Sequence, residues 1–323
     1  MATSTEFQKK NSIVTGGAGF IGSEYVRSAL SGVLYGGAPH RVKVLDCLTY
    51  AGNTKRLACA SRNSSYEFIE GSINDNNLVD RLTSETDAII HFAAESHVDK
   101  SIWDSTKFVE TNILGTNVLL KAATKYRKTI VLVSTDEVYG SLANGSATED
   151  YSLNPSSPYS ASKAAADLLA LSFHATHGLD LRITRSANNY GKYQDSEKLI
   201  PKSVRLLKSG KPIELYGTGG NVRNWLHITD HCEAIARVLY LGTPGEIYNV
   251  GGEESLTNTE LAEILIKKIS PAHGTIKYIA ERLGHDHRYA VDSAKIKSQL
   301  DWRPRSILED CLEEIIQSID FLD

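Results

Sequence analysis

A short β-branched run passes directly into a glycine turn in Ser12-Ile13-Val14-Thr15-Gly16-Gly17-Ala18-Gly19-Phe20-Ile21-Gly22, and a helical stretch follows over residues 23–30. Strand, glycine turn and helix in this order form the setting in which dinucleotides bind. Gly16 permits the tight turn, Gly19 lets the backbone approach a pyrophosphate, and Gly22 lets helix and strand pack closely. The free N–H groups at the start of the helix attract phosphate. The stretch therefore predicts a site for a dinucleotide cofactor.

The second predicted strand, residues 42–46, ends in the carboxylate of Asp46. A carboxylate at this place accepts hydrogen bonds from a ribose diol and repels a 2′-phosphate, which favours NAD over NADP. The usual spacing from the glycine turn is about 20 residues, whereas Asp46 lies 30 residues after Gly16. We attribute the excess to the glycine-rich connection 31–40. The alternative is that Asp46 only caps a loop.

Further strand-like runs alternate with helical stretches along the chain. The runs cover residues 66–69, 87–92 and 130–133, and the clearest helical stretch between them covers residues 112–126. Strands that are almost entirely apolar are buried on both faces, as in a parallel sheet covered by helices. The alternation predicts an α/β fold with a Rossmann-like, doubly wound parallel sheet.

A chemically distinctive group of residues follows the run 130–133. Thr135, Asp136 and Glu137 come at the end of that strand, where ligands bind in such sheets. Tyr159 and Lys163 lie four residues apart on a strongly predicted helix, so their side chains point the same way.

The residue types in this group indicate the chemistry. Tyrosine has an unperturbed pKa of about 10 and is a poor base at neutral pH, but a nearby ammonium lowers that pKa. Tyr159 and Lys163 therefore predict removal of a proton from an alcohol, and the adjacent carboxyls predict acid/base chemistry beyond an oxidation. The alternatives are a Tyr/Lys pair on the surface and a solvated acidic turn.

Composition and charge exclude several classes of protein. The 323 residues include 41% apolar and 23% charged side chains, as in an ordinary globular protein. A formal net charge of −4 favours neither nucleic acid nor an anionic membrane as a partner. The apolar runs are too short to span a bilayer, and the polar residues 1–10 are unlike a signal peptide. We therefore expect a soluble, cytoplasmic protein.

Cysteine and histidine spacing does not predict a metal site. Cys47, Cys59, Cys232 and Cys311 are scattered, which favours reduced structural thiols. The run His285-Asp286-His287 brings two imidazoles to one face of an extended segment, but no nearby Cys or Glu completes a ligand set. A loop or a polar contact to substrate is the preferred interpretation.

With these motifs the chain resembles the extended short-chain dehydrogenase/reductase superfamily and, within it, the dTDP-glucose 4,6-dehydratases. Asp136 and Glu137 separate this group from the 4-epimerases, which generally carry small residues there, and LTYAGN favours dTDP-sugar over UDP-sugar enzymes. The resemblance runs over nearly the full length through TGGAGFIGS (15–23), LTYAGN (48–53), HFAAESHVDKSI (91–102), STDEVYGS (134–141), SPYSASKAAAD (157–167), NNYGKYQDSEKLIP (188–201), LYGTGGNVRNWLHITDHC (215–232), YNVGG (248–252), LTN (256–258) and GHDHRYAVD (284–292).

The resemblance implies a reaction in three steps that yields a 4-keto-6-deoxyhexose and water. Tyr159, held as phenolate by Lys163 and the oxidised nicotinamide, would remove the 4-OH proton, with Thr135 hydrogen-bonded at that oxygen, while hydride passes from C4 to NAD. Glu137 would then take the C5 proton, and protonated Asp136 would donate a proton to the departing 6-OH. Hydride would return to C6.

The resemblance also implies the residues of two binding sites. Lys198 and Arg223 suit the substrate pyrophosphate, Arg223 by its bidentate fork. The implied cofactor residues are Gly16, Gly19, Phe20, Ile21, Gly22, Asp46, Leu48, Thr49, Ser72, Ile73, Phe92, Ala93, Ala94, Ser96, Thr111, Tyr159, Lys163 and Asn189. The implied substrate residues are Ser96, Thr135, Asn188, Lys198, Leu199, Arg223, Asn258, Arg282, His285 and Tyr289.

Two segments depart from the family pattern. Ser72 stands where an Asp is usual, which weakens or moves a contact to adenine. Residues 192–196 (KYQDS) replace a more apolar loop that contains proline, which affects the fit of the substrate.

We expect residues 1–187 to form the NAD-binding domain and residues 188–323 a smaller C-terminal substrate-binding domain. Residues 225–250 are expected to return to the first domain, with a strand and a helix over 225–241 that join the main sheet. Relatives pair through two long helices per subunit, so helices 108–126 and 159–177 are the candidates for a homodimer interface. Two alternatives stay open: a UDP-sugar enzyme of the same superfamily (4-epimerase, decarboxylase or UDP-glucose dehydratase), and a non-catalytic NAD-binding regulator.

Overall fold

A computed structural model describes residues 10–321, apart from the side chain of Asp320. Of the segment considered for a signal peptide, residues 1–9 lie outside the described residues.

The strands and helices largely follow the sequence pattern. A π-helical stretch, Val109–Gly115, joins two helices, so the predicted helix 108–126 is helical but not one continuous α-helix. The strands are β1 (Asn11–Thr15), β2 (Arg41–Asp46), β3 (Tyr66–Glu70), β4 (Ala88–His91), β5 (Thr129–Thr135), β6 (Leu181–Ser186), β7 (Asn188–Tyr190), β8 (Ile213–Tyr216), β9 (Val222–His227), β10 (Ile247–Val250), β11 (Glu254–Thr257) and β12 (Ile276–Ile279). The helices are α1 (Phe20–Ser31), α2 (Asn76–Ser84), α3 (Val98–Trp103), α4 (Thr106–Phe108), α5 (Thr116–Tyr126), α6 (Pro158–His177), α7 (Leu199–Lys208), α8 (Ile228–Leu241), α9 (Asn258–Ile269), α10 (Ala294–Leu300) and α11 (Leu308–Ser318).

The main sheet confirms the predicted α/β class. Within residues 10–321 its strand order is β10-β6-β5-β4-β1-β2-β3, and every neighbouring pair is parallel. The order runs outward from β1 in both directions, which is the doubly wound arrangement. The connection between α1 and β2 accounts for the long spacing between Gly16 and Asp46.

The side chains of the central strands point alternately to the two faces of this sheet and build a separate apolar core on each face. Val131 and Val133 of β5 belong to the core that includes residues of α1 and α8. Ile130 and Leu132 belong to the opposite core, with residues of α2, α5 and α6. Successive side chains of a strand point to opposite faces, so a fully apolar strand needs helices on both sides.

The later part of the chain adds two small sheets, β11-β9-β7 and β12-β8, around a further apolar core. The expectation that a strand within 225–241 joins the main sheet is wrong, because that strand is β9, which pairs with β7 and β11. Glycine at 252 allows this pairing, since a Cβ there would overlap the carbonyl of Trp225. The chain returns to the main sheet instead through α8, which packs on α1, and through β10, which pairs with β6.

The four cysteines all lie within the described residues and are free, in agreement with the sequence analysis.

None of the described helices combines the length and the apolar character needed to cross a lipid bilayer.

Candidate active site

A cavity of about 300 Å³ opens at the carboxyl ends of the parallel strands. Its wall runs from the glycine turn after β1, past the ends of β2, β4 and β5, to the first turns of α6 and the segment after β7. Open α/β sheets bind their ligands at this edge.

The glycine turn gives the cavity a wall of bare backbone. Gly16 adopts φ +69°, and a Cβ there would lie only 2.6 Å from the backbone nitrogen of Ala93. A Cβ on Gly22 would overlap the carbonyl oxygen of Gly16. Gly19 precedes α1 in an extended conformation and has no side chain with which to cap the helix. The first N–H groups of α1 therefore stay available to an anion such as a pyrophosphate.

Asp46 is held at the end of β2 by the backbone around it. Its Oδ2 accepts the N–H of Ala18 and its Oδ1 accepts the N–H of Leu48, each at 2.9 Å. An ionised carboxylate has about four lone-pair positions, so two backbone donors leave room for ribose hydroxyls. The turn and this carboxylate fit a dinucleotide without a 2′-phosphate.

The acidic pair is placed by the way in which β5 ends. Thr135 is the last residue of β5, and its Oγ1 accepts the N–H of Glu137 at 3.2 Å, which caps the 3₁₀ turn Asp136–Tyr139. The same hydroxyl donates to Asp136 Oδ1 at 3.3 Å. The cap turns both carboxyls into the cavity that the glycine turn lines.

Neighbouring charges give the two buried carboxyl groups different tendencies to ionise. Burial, and then the Glu137 carboxylate, raise the pKa of Asp136 to about 8, with Arg223 acting in the opposite direction. Burial also raises the pKa of Glu137, whereas Arg223, Arg282 and Lys198 lower it. Two neighbouring carboxyls resist double ionisation. A protonated Asp136 beside an ionised Glu137 is the arrangement that these causes favour.

Tyr159 and Lys163 lie on the first turns of α6, which begins with Pro158 and a reciprocal cap between Ser157 and Ser160. Both residues line the cavity. Lys163 Nζ donates to the carbonyl oxygen of Val133 at 2.8 Å. Burial lowers the pKa of Lys163 to about 8, and Asp167 opposes this shift.

The pKa of Tyr159 differs from the expectation. The nearby lysine is expected to lower this pKa. Instead burial, followed by the charges of Glu137 and Asp136, raises the pKa of Tyr159, and a hydrogen bond with Thr135 opposes the rise. The physical reason is that Tyr159 is largely removed from water beside two carboxyls. Its phenolate therefore needs a further positive charge close to the ring.

Tyr289, Asp286 and Arg223 form a connected group of side chains next to Glu137. Tyr289 donates its hydroxyl to Asp286 Oδ2 at 2.5 Å and lies 3.5 Å from Glu137 Oε2. The Arg223 guanidinium lies 4.4 Å from the centre of the Tyr289 ring and donates to the Asp286 carbonyl at 2.9 Å. Arg223 is thus fixed near the acidic pair, where its positive charge favours the ionised forms of Asp136 and Glu137.

The cavity brings together most of the residues that the resemblance implies. The implied catalytic residues all line it: Thr135, Asp136, Glu137, Tyr159 and Lys163. The implied cofactor residues also line it, with the exception of Leu48, whose side chain is not part of the wall. Of the implied substrate residues, Ser96, Thr135, Asn188 and Lys198 line it, whereas Leu199, Arg223, Asn258, Arg282, His285 and Tyr289 lie outside its wall. Their roles in binding stay predictions.

Comparison with known proteins decides the family. A sequence model described as GDP-mannose 4,6 dehydratase matches residues 13–315. The dTDP-glucose 4,6-dehydratase of Streptomyces griseus is 50% identical over 93% of this chain and 91% of that protein. The enzyme of the same name from Streptomyces niveus is 48% identical over 94% of this chain and 91% of its own length. The chain belongs to the dTDP-glucose 4,6-dehydratase family.

A solved structure from this family has the same architecture. DesIV, a dTDP-glucose 4,6-dehydratase from Streptomyces venezuelae with NAD and TYD bound, superimposes with a TM-score of 0.92 at 48% identity, covering 95% of this chain and 96% of DesIV. The extended short-chain dehydrogenase/reductase fold inferred from the motifs is therefore confirmed.

Both departures from the family pattern lie at the cavity. Ser72 lines it, and its hydroxyl accepts the N–H of Asn74 at 3.1 Å. Asp195 of the loop 192–196 also lines it and forms an ion pair with Arg56, with Oδ1 and Nη2 2.6 Å apart.

Sequence reasoning missed three functional candidates. Glu95 lines the cavity half-buried, and burial raises its pKa. Asp286 was treated only as the centre of a histidine run, whereas it fixes Tyr289 and Arg223. Arg56 lies in the 3₁₀ turn Thr54–Leu57 outside any motif, so no sequence signal could have identified it.

Two further features lie away from this chemistry. A shallow depression of about 560 Å³, near the amino ends of β1 and β2, is lined by Lys43 and Glu85 among others, which already pair with each other. His227, Cys311 and Glu314 bring potential ligand atoms within 4.8 Å of one another. Lys192 Nζ lies 3.0 Å from Glu314 Oε2, and this ion pair accounts for the carboxylate without a metal.

Proposed function

We propose that this protein is an NAD-dependent dTDP-glucose 4,6-dehydratase, a hydro-lyase that converts dTDP-D-glucose to dTDP-4-keto-6-deoxy-D-glucose and water. One observation carries the proposal: the Asp136–Glu137 pair lines the same cavity as Tyr159, Lys163 and the glycine turn. A dehydrogenase that only oxidises an alcohol has no use for a second acid/base pair. Family membership, and DesIV with NAD and TYD bound, support the assignment.

The first half of the reaction uses Tyr159 as base. NAD⁺, when bound, accepts a hydride from C4 and gives it back at C6. Its positive charge would oppose the burial that raises the pKa of Tyr159. Tyr159 then removes the proton of the 4-hydroxyl, Thr135 holds that oxygen by a hydrogen bond, and Lys163 stabilises the phenolate.

The second half removes water from C5 and C6. A ketone at C4 acidifies the C5–H bond, and ionised Glu137 takes that proton. Asp136, protonated at neutral pH because its pKa is about 8, donates a proton to the 6-hydroxyl, which leaves as water. A group with a pKa near the working pH can both hold and release a proton efficiently. C5 is reprotonated when hydride reaches C6.

Cations near the acidic pair suit the charged part of a nucleotide sugar. Lys198 Nζ lies 3.4 Å from the Ser96 carbonyl oxygen, at the rim of the cavity. Asn188 Oδ1 is buried without a hydrogen-bond partner among the described residues, and a sugar hydroxyl would satisfy it. We assign the pyrophosphate to Lys198 and Arg223, and the sugar to Asn188 and Thr135.

The proposal is tested by incubating the protein with a panel of dTDP-glucose, UDP-glucose, UDP-galactose and GDP-mannose. We expect dTDP-glucose to be converted fastest, with loss of one water by mass spectrometry and an alkali-induced absorbance from the keto product. An isomer of unchanged mass from a UDP-sugar would favour an epimerase. NAD binding without any conversion would favour a regulator.

We propose further that the protein is a cytoplasmic homodimer. Apolar side chains are exposed on adjacent helical segments at Val109, Leu114 and Leu168, and the family resemblance implies a four-helix interface at helices of this kind. Light scattering should give the mass of a dimer for the purified protein and a monomer for Leu168→Asp. The free cysteines suit a reducing compartment. We also propose the division into an NAD-binding part (1–187, to which 225–250 return) and a substrate-binding part (188–323), supported by a separate apolar core formed within the latter.

A further inference from the structure

Residues 192–196, between β7 and α7, form a loop that we call the strap. The first half of the strap is attached to the C-terminal helix. Lys192 Nζ lies 3.0 Å from Glu314 Oε2, and the N–H of Tyr193 donates to Ser318 Oγ at 3.3 Å. Tyr193 adopts φ +66°, which is uncommon for a residue with a bulky side chain. Its ring lies 4.6 Å from that of Phe321.

The second half of the strap is attached to the glycine turn through Arg56. This guanidinium is almost completely buried. Its Nε donates to the Tyr193 carbonyl at 3.1 Å, and its Nη2 lies 2.6 Å from Asp195 Oδ1. On its other side Nη1 donates to the carbonyls of Ala51 at 2.6 Å and Ala18 at 3.2 Å.

Arg56 therefore joins three segments that contribute to the cavity. Ala18 belongs to the glycine turn, Ala51 follows β2, and Asp195 lies in the strap. Ala51 and Asp195 line the cavity themselves, as do Gly19 and Asp46. The planar guanidinium can serve several acceptors at once because its donors point in fixed directions.

The charge of Asp195 depends on this arginine. Burial raises the pKa of the Asp195 carboxyl, and Arg56 is the largest influence in the opposite direction. Removing one partner of a buried ion pair leaves the other charge uncompensated. The attachment of the strap is thus expected to depend on both residues together.

We propose that the Arg56–Asp195 ion pair latches the strap against the glycine turn and thereby slows the escape of NAD between turnovers. This inference rests on the proposed function. A reaction that returns its hydride to the same substrate leaves the cofactor as it was, so release of NAD is not needed for turnover. Arg56 and Asp195 act as positioning residues, because they hold the wall of the cavity rather than the reacting atoms.

The test measures NAD dissociation from the holoenzyme after mixing with an excess of labelled NAD. Asp195→Asn removes the charge with little change in shape, and we expect its NAD dissociation rate to rise by about tenfold or more. Asp195→Glu keeps the charge and should restore most of the retention. The Asp195→Asn protein should lose turnover on dilution because NAD escapes, and added NAD should restore that turnover. Added NAD would not restore turnover that was lost through a general loss of structure.

Lys43 and Glu85 supply the matched control. Like Arg56 and Asp195, they form an ion pair between a buried base and a more exposed acid, but they lie away from the cavity. Glu85→Gln should leave the NAD dissociation rate unchanged. Equal rates for Asp195→Asn and the parent protein, or the same increase in Glu85→Gln, would overturn the latch.

This readout separates the latch from the reaction. Unchanged NAD dissociation in a protein that converts dTDP-glucose would refute the latch alone. The opposite result is a protein that converts none of the sugars but releases NAD slowly, and faster after Asp195→Asn. That result would support the latch and refute the proposed function.

Discussion

At the scale of single residues, the surroundings of two adjacent carboxyls favour different protonation states. Asp136 and Glu137 are neighbours in the chain, Asp136 buried and Glu137 partly buried, yet their surroundings differ. The cations Arg223, Arg282 and Lys198 favour the charged form of Glu137, and that charge in turn favours protonated Asp136. The proposed acid and the proposed base are the same chemical group in different environments.

Replacing the proposed base tests its role. Glu137→Gln keeps the shape of the side chain but cannot accept the C5 proton. Turnover should fall by roughly 10²–10⁴-fold, the usual contribution of a general base, while NAD binding measured by fluorescence stays unchanged. Glu309→Gln, an exposed carboxylate on α11, is the control. A Glu137→Gln protein with undiminished turnover would exclude Glu137 as the base.

The pH dependence tests the proposed acid. Asp136 must carry a proton to act, so the active form lies below its pKa of about 8. We expect kcat/KM for dTDP-glucose to fall as the pH rises through that value, since kcat/KM reports ionisations of the free enzyme. A rate that keeps rising well above this pH would contradict the assignment.

At the scale of elements, the site is built where strands and helices end. The turn after β1, the cap after β5 and the start of α6 each leave backbone or side-chain groups that the element itself does not use. The motifs of the first half predict these places because turn and cap chemistry is local. The later strands could not be assigned in the same way. The pairing of β9 with β7 and β11 depends on contacts between distant segments, and local sequence preferences do not determine those contacts.

The glycine turn provides a test with a well-matched control. Gly16 and Gly37 have φ of +69° and +72°, but a Cβ on Gly16 would meet Ala93, whereas a Cβ on Gly37 would meet nothing within 4 Å. Gly16→Ala should lower the free energy of unfolding by about 1–3 kcal/mol more than Gly37→Ala, because only the former overfills its site. It should also weaken NAD binding. Urea denaturation and NAD titration of both variants measure these effects, and equal values would exclude the close approach.

At the scale of the whole molecule, the sheet brings residues far apart in the chain into one cavity. The resemblance placed the five implied catalytic residues in that cavity from the sequence alone, since they belong to ordered motifs. It could not find Arg56 or the contact of Asp286 with Tyr289. These interactions connect parts of the chain that no motif links, so their geometry becomes visible only in the folded molecule.

The buried histidines predict how stability depends on pH. Burial lowers the pKa of His91 and of His231 to about 3, whereas in the unfolded chain a histidine has a pKa of about 6.5. Below the unfolded value the unfolded state binds more protons, so folding is progressively destabilised as the pH falls toward 3. The expected loss is about 1.4 kcal/mol per pH unit for each histidine.

The contribution of one histidine can be isolated. His231→Gln should reduce the slope of the free energy of unfolding against pH by the equivalent of one proton, measured by urea denaturation between pH 6 and about pH 4.5. An unchanged slope would mean that His231 titrates in the folded protein as it does in the unfolded chain.

In the proposed reaction, hydride leaves C4 of the sugar and returns to C6 of the same molecule. Substrate carrying deuterium at C4 reveals this transfer when the product is analysed by NMR and mass spectrometry. We predict that the deuterium appears in the C6 methyl group of the product. Deuterium that stays at C4 or is lost to solvent would exclude this transfer.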